Sequence, residues 1–205
     1  EIFIGYDHSI QEVDTFLDGL PEKIQDHVSC FGGDARLYSE NGEMLVTSIP
    51  ATEMGVGFIV EIEGKIIFHA GTLYLNQTAS EEEYNKWYQK MSLEHPDLSI
   101  ADYEAYLEHC EDEFAKYTDR IKGRDFDYAM LPLEPKYGDI GERTIKRYME
   151  VANYKLWSPM QLHGMYEVVD DFVTNYPELV KNMIGVTTKS GVKKAIKSGE
   201  KYTLD

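Results

Sequence analysis

The side chains that could do chemistry in this chain are few, and they lie in loops beside predicted strands and helices. His8 follows an opening apolar segment, Glu53 precedes a predicted β-hairpin, and Glu134 and His163 follow later strands. Imidazoles and carboxylates are the groups that bind zinc and exchange protons near neutral pH. In layered α/β folds, loops at strand ends build the active site. The pattern therefore predicts either a metal site or a polar pocket at such ends.

Each candidate also has a simpler interpretation. His8 by itself is most simply a polar loop or core histidine, because an open zinc site needs at least three protein ligands. Glu53 and Glu134 could equally cap helices or carry surface charge. His163 lies two residues after Gln161. The two side chains would share a face on a strand, whereas in a turn His163 could reach a pocket.

The elements that must position these residues are two hairpins, followed along the chain by alternating helices and strands. Asn41-Gly42 and Gly64 favour the turns of two hairpins. Ser80 and Ser99 begin two helices with capping-box spacing, and apolar residues recur every three or four positions through Cys110, which predicts a reduced core cysteine. The remaining predictions are strands at 2–5, 127–131, 154–157 and near 183–187, and helices at about 140–152 and 165–173. This order predicts a mixed α/β domain with helices packed on sheet.

Composition bounds the function. The chain has 205 residues, 42% of them hydrophobic, which suits one folded domain spanning 1–205. Its 37 acidic and 20 basic residues give a net charge of −17, which disfavours nucleic acid as a partner. Two cysteines make neither a disulfide framework nor a structural zinc site. With no apolar run long enough to span a membrane and no signal peptide, we expect a cytoplasmic protein with no membrane partner.

Three blocks of sequence resemble a bacterial branch of the metallo-β-lactamase superfamily. Residues 51–60, ATEMGVGFIV, are similar to a Ser-Thr-Asp-x-Gly-Val-x-Phe-x-Val stretch, and residues 68–73, FHAGTL, to a His-Ala-Gly-Asp-Leu stretch. Residues 127–136, DYAMLPLEPK, with 158–161, SPMQ, resemble a strand and loop followed by a Pro-Met-His strand end. The resemblance implies an αββα sandwich of two sheets packed face to face. On this resemblance we expect the usual first hairpin to be lacking, and a neighbouring subunit or residues outside this sequence to cover the exposed edge.

The resemblance also locates the metal ligands that this chain replaces. Thr72 stands where the family has a bridging Asp, and Gln161 stands where it has the last His. A neutral hydroxyl and an amide are poor substitutes for a carboxylate and an imidazole at zinc. His69 is expected to support the site by hydrogen bonding rather than to bind metal.

The alignment at the N-terminus allows two placements. In one, residues 6–11, YDHSIQ, align with the family's His-x-His-x-Asp-His loop. His8 is then the remaining ligand, while Tyr6, Ile10 and Gln11 replace the others. In the other, residues 2–9 match the opening strand and a Gly-His-Ser turn. Neither placement supplies a His-x-His motif.

The leading hypothesis is a metallo-β-lactamase-fold protein that has lost its dinuclear metal site and acts by binding a small ligand or a protein partner. Its pocket would draw on Tyr6, Gln11, Glu53, Thr72, Glu134, Gln161 and His163, with His8 as a remnant metal ligand. Tyr6, Tyr74 and Trp157 lining the pocket would favour this hypothesis. No cofactor is then expected. The alternative is a zinc-dependent hydrolase rebuilt around His8, Glu53, Glu134 and His163, and a third hypothesis is one subunit of a homo-oligomer.

Overall fold

The protein was analysed in a computed structural model, which describes residues 2–5, 18–25, 28–52, 55–75, 81–93 and 95–184. Six strands form one mixed sheet, hydrogen-bonded in chain order. They are β3 (Arg36–Tyr38), β4 (Met44–Pro50), β5 (Val56–Ile62), β6 (Lys65–His69), β7 (Asp125–Pro132) and β8 (Asn153–Met160). Strands β3 to β6 are antiparallel, and β6, β7 and β8 are parallel. A separate parallel pair joins β1 (Ile2–Gly5) to β2 (Val28–Phe31).

The helices fill the connections between strands. They are α1 (Glu22–Gln25), α2 (Glu81–Met91), α3 (Ile100–Thr118), α4 (Asp139–Val151) and α5 (Glu167–Asn175), with a 3₁₀ turn at Pro135–Tyr137. Helix α3 begins with the predicted capping box. The Ser99 side chain accepts from the backbone N–H of Asp102, and the Asp102 carboxylate accepts from the N–H of Ser99. Two of the backbone donors left over at the helix start are satisfied in this way.

One face of the six-stranded sheet forms the core. Its register aligns Ile59 with Phe68, Phe68 with Ala129 and Ala129 with Trp157, and all four side chains are buried. Three rings from the helices pack on this face or on one another. The Phe68 and Tyr148 centroids are 5.7 Å apart, those of Phe114 and Tyr148 5.5 Å, and those of Trp157 and Phe172 6.1 Å. Helices α3, α4 and α5 therefore bury their apolar stripes against one core.

A side chain replaces a backbone partner where β6 meets β7. The Asp127 carboxylate accepts the backbone N–H of Ile66 at 2.9 Å and the Lys155 ammonium at 2.7 Å. Lys65 lies 4.0 Å from the same carboxylate. Because the carboxylate caps an unpaired strand N–H and is itself compensated by cations, its burial is tolerated.

The structure confirms the mixed α/β class and most of the predicted elements. Both hairpins form, the helices at 81–91, 100–118, 139–151 and 167–175 are present, and Cys110 is buried as predicted. Strand β8 is longer than expected and runs to Met160. The predicted strand near 183 appears as one parallel bridge from Met183 to Trp157. The packing of two sheets face to face, a single domain over 1–205, and the homo-oligomer stay predictions.

Candidate functional site

Four chain segments meet at one edge of the sheet. The parallel strands β6, β7 and β8 all end there, and β5, which runs antiparallel to β6, begins there at Val56, paired with Pro50 of β4. Two backbone hydrogen bonds hold the first loop positions in register. The Ala70 N–H donates to the Met130 carbonyl at 3.0 Å, and the Leu133 N–H donates to the Met160 carbonyl at 3.1 Å. The positions of the candidate residues in the sequence predicted a site at these strand ends.

A tight turn after β6 is shaped by Gly71. Its φ is +61°, and a Cβ there would lie 2.1 Å from the carbonyl oxygen of Val56, so side chains are excluded by both strain and contact. The Gly71 N–H donates to Nδ1 of His69 at 3.1 Å. His69 therefore supports the turn by a hydrogen bond, as predicted, and burial lowers the pKa of its imidazole.

Tyr74 lies at the centre of the site and is fully buried. Its hydroxyl is 2.5 Å from Oε1 of Gln161 and 3.3 Å from Oε2 of Glu134. Its backbone is fixed from the other side by Thr52, whose hydroxyl donates to the Tyr74 carbonyl at 2.6 Å and accepts its N–H at 3.0 Å. The Tyr74 hydroxyl therefore lies between the loops that follow β7 and β8.

Glu134 is a buried carboxylate that contacts the ammonium group of a lysine and the imidazole of a histidine. Oε1 lies 2.9 Å from Nζ of Lys136 and 3.3 Å from Nε2 of His163. Both partners are largely exposed, at 58% for Lys136 and 65% for His163, whereas the Glu134 side chain is 9% exposed. The carboxylate is consequently held from inside by the phenol and from outside by groups that solvent or a ligand can reach.

The loop after β8 is a turn with unusual backbone geometry. Gln161 has φ +62° and His163 has φ +48°, and Gly164 follows at +81°. Residues other than glycine rarely adopt this left-handed region, at a cost of about 1 kcal/mol or more each. The strained turn makes His163 reach Glu134, which is the second of the two arrangements that the sequence left open. The strain also directs Gln161 inward, where Nε2 donates to the Gly71 carbonyl at 3.2 Å.

The structure thus gathers several of the predicted site residues. Glu134, Gln161 and His163 lie in one hydrogen-bonded cluster, and Thr72 is half-buried beside the Gly71 turn. A Cβ at Gly55 would lie 3.4 Å from the Thr72 hydroxyl, so these two loops are adjacent. Four predicted site residues, Tyr6, His8, Gln11 and Glu53, lie outside the described residues.

Two members of the site were not among the predicted set. Lys136 ends the 127–136 block that carries the resemblance. Its positive charge two residues after Glu134 could have indicated an ion pair at this position. Tyr74, named as a residue whose presence would favour a binding pocket, proves central. Trp157, named with it, lies instead in the core against Phe172 and is 1% exposed.

The dinuclear metal centre that the resemblance implies needs several imidazole or carboxylate ligands. Within the described residues, no group of three or more His, Cys, Asp or Glu side chains is placed to hold a metal ion. Thr72 and Gln161 contribute neutral oxygens, and both ends of the Gln161 amide are engaged by protein groups. The described residues by themselves do not supply the ligands of that centre. The described part of the chain also holds no helix long and apolar enough to cross a membrane.

Comparison with known proteins gives a weak likeness to solved structures. No family model matches the chain, and no curated protein does. Among solved structures, the chain is similar to a Thermotoga maritima protein named as a candidate Zn-dependent hydrolase of the metallo-β-lactamase superfamily, at 18% identity and a TM-score of 0.41. The match covers 72% of this chain and 60% of that one, so this chain spans about 60% of that protein's length. A likeness of this size establishes neither a family nor an activity.

Proposed function

We propose that this protein is a metallo-β-lactamase-fold relative without the dinuclear metal centre, and that it binds a small polar ligand at the strand-end site. The observation that carries the proposal is the pair of hydrogen bonds made by Gln161. One end of its amide donates to the Gly71 carbonyl and the other accepts from the Tyr74 hydroxyl. These bonds hold the amide between two loops, and a neutral amide oxygen in that position is a weak ligand for zinc.

The chemistry of the remaining groups suits a hydrogen-bonding ligand. Glu134, Lys136 and His163 place an acceptor and two donors at the mouth of the site, where the two donors are exposed. Small-molecule sites commonly combine such a few convergent polar groups with a pre-formed buried wall, here Tyr74 and its neighbours. The ligand would displace or share the contacts that Lys136 and His163 make with the carboxylate.

The second candidate is a zinc-dependent hydrolase with a rebuilt site. One contact favours it, because Nε2 of His163 lies 3.3 Å from Oε1 of Glu134, which brings together two of its four proposed ligands. It also needs His8 and Glu53 to complete a set of at least three ligands around zinc.

Metal content separates the two candidates. The protein purified without added metal, and again after loading with zinc or manganese, is measured by inductively coupled plasma mass spectrometry beside the double variant Glu134→Gln, His163→Asn. Near-stoichiometric metal in the wild type that is lost in the variant would overturn the binding proposal and support the hydrolase. Metal at background in both proteins supports the binding proposal.

Ligand binding is then tested by thermal-shift screening with small polar compounds. We expect hits whose stabilisation disappears in Glu134→Gln but persists in Glu40→Gln, which changes the charge equally at an exposed position away from the site. Hits that stabilise all three proteins alike would place the ligand elsewhere.

A further inference from the structure

A short segment after α5 pairs with the outer edge of β8, the last strand of the six-stranded sheet. The Trp157 N–H donates to the Asn182 carbonyl at 3.1 Å, and the Ile184 N–H donates to the Trp157 carbonyl at 2.7 Å. The bridge that these bonds make between Met183 and Trp157 is parallel. Residues 185–205 lie outside the described residues. The chain therefore reaches them already aligned with β8 and running in the same direction.

This segment is buried on both of its faces. Met183 and Ile184 are each 2% exposed, and successive side chains of a strand point to opposite faces. A buried backbone needs hydrogen-bond partners, and the outer edge of a strand supplies them. The next residues, Gly-Val-Thr-Thr at 185–188, include three β-branched side chains, which favour a strand. Burial and composition therefore favour continued pairing along β8.

The parallel register specifies which backbone amide would bond next. Alternate residues of β8 direct their backbone groups outward, so Pro159 follows Trp157 on the outer edge. Proline has no N–H, but its carbonyl can accept, and the register places the Val186 N–H opposite that carbonyl. The N–H groups of Gly185 and Thr187 would point away from β8. Continued pairing thus predicts an alternation of bonded and free amides.

A strand in this direction carries the chain to the strand-end site. Because β6, β7 and β8 are parallel and end at that edge of the sheet, a seventh parallel strand would end there too. Residues 189–201 then follow, with five lysines and one glutamate in a chain of net charge −17. Helices α4 and α5 begin close to the same edge, since they follow β7 and β8. Their first turns carry four carboxylates, which form the acidic rim of the site: Asp139, Glu142, Glu167 and Asp170.

We infer that residues 185–188 continue beside β8 as a seventh strand and that the lysine-rich segment 189–201 docks on the acidic rim. At about 3.3 Å per residue, four residues extend about 13 Å, which carries the chain from beside Trp157 past the end of β8 at Met160. Lysine ammonium groups on long flexible stems are suited to exposed carboxylates. The chain's own segment is favoured over a second copy, because it is tethered at this edge and a second copy carries the same negative charge.

The docked segment has a consequence for the ligand of the site. Its lysines add positive charge beside Lys136 and His163, so an anionic group of the ligand would be favoured at that side of the mouth. This consequence rests on the proposed function, whereas the docking itself does not. The measurements below use ligand-free protein, so the docking and the proposed function can fail independently of each other.

Hydrogen exchange of the ¹⁵N-labelled protein tests the strand directly. After correction for intrinsic rates, we expect the Val186 amide to exchange at least about tenfold more slowly than the amides of Gly185 and Thr187. The Ile184 amide, whose hydrogen bond to Trp157 is present in the structure, is the slow reference. Exchange at Val186 as fast as at Thr187 would overturn the inference.

A matched pair of proline variants tests the same register through stability. Val186→Pro removes the donor to the Pro159 carbonyl, whereas Thr187→Pro removes an N–H that faces away from β8. We expect the urea midpoint to fall by about 0.5 M more in Val186→Pro than in Thr187→Pro, because only the first variant loses a hydrogen bond. Equal midpoints in the two variants would contradict the seventh strand.

Trypsin cleavage after the lysines of 189–201, followed by mass spectrometry, tests docking on the rim. The rim variant Asp139→Asn, Glu167→Gln removes two exposed rim carboxylates. Its control, Glu40→Gln, Glu63→Gln, removes two exposed carboxylates from hairpin turns at the opposite end of the sheet. We expect cleavage about two- to fivefold faster in the rim variant and unchanged in the control, the size of effect that exposed ion pairs produce. Equal rates in the rim variant and its control would overturn the docking.

Discussion

The carbonyl oxygen of Gly71 accepts a hydrogen bond of 3.2 Å from Nε2 of Gln161, a residue ninety positions later in the chain. This bond ties the turn after β6 to the turn after β8. The Tyr74 hydroxyl donates to the other end of the same amide. It also contacts Glu134, which connects the loop after β7 to the other two. Three loops are thereby held by side-chain contacts, so the side chains of the site are positioned by the fold itself.

Gly71→Ala should be far more destabilising than Gly64→Ala. Both glycines have positive φ, at +61° and +74°, so both substitutions carry the cost of left-handed backbone. At Gly64 a Cβ meets nothing within 4 Å, whereas at Gly71 it would lie 2.1 Å from the Val56 carbonyl oxygen. We expect Gly64→Ala to cost about 1 kcal/mol and Gly71→Ala at least about 2 kcal/mol more, measured by urea unfolding. Equal costs would contradict the close approach.

Tyr74→Phe should lower the free energy of unfolding by about 1–2 kcal/mol, because it keeps the buried ring but leaves Gln161 and Glu134 without the hydroxyl. Tyr38→Phe, at a position 64% exposed, is the matched control and should change stability little. Urea denaturation at neutral pH measures both. A cost for Tyr74→Phe no larger than that of the control would show that the hydroxyl does not support the site.

Stability should depend on pH through His69. Burial lowers the pKa of its imidazole, so the unfolded chain binds the proton more tightly than the folded chain. The contribution is therefore complete above the unfolded pKa of about 6.5 and is lost as pH falls through the lower folded pKa. The Gly71 N–H also needs an unprotonated Nδ1 as acceptor. His69→Gln should flatten the fall in urea midpoint between about pH 7.5 and 5.5. Parallel pH profiles for the two proteins would contradict this assignment.

Asp127 should contribute to stability in a more acidic range. The hydrogen bond from Lys155, and then that from the Ile66 N–H, hold the pKa of its carboxyl below the ordinary value. The contribution is present above the unfolded pKa of about 3.9 and disappears as pH falls through the folded pKa. Asp127→Asn should thus be less stable than wild type at pH 7, and the difference should shrink below about pH 4. Chemical unfolding at several pH values measures it, and a constant difference would argue against the carboxylate.

Local patterns were sufficient to predict most individual elements. Ser99 begins α3 with a capping box because that motif acts within four residues. Gly64 closes the β5–β6 hairpin, whose turn places both Glu63 and Gly64 at positive φ. Three- and four-residue spacing likewise placed Cys110 on the buried stripe. The candidates Glu134, Gln161 and His163 came from their positions at strand ends and from the family resemblance.

The sequence by itself determined the kinds of elements and the weakness of the expected metal ligands, because both depend on residue types over short spans. Tertiary structure decided which groups meet. Tyr74 contacts Glu134 sixty positions away and Gln161 eighty-seven positions away, through a strand order and register that no local period encodes. The left-handed backbone at Gln161 and His163 is likewise unfavourable for their residue types, and the contacts of the folded site offset its cost. The hydrogen-bonded cluster is therefore a property of the packed strand ends, where long-range contacts outweigh local preference.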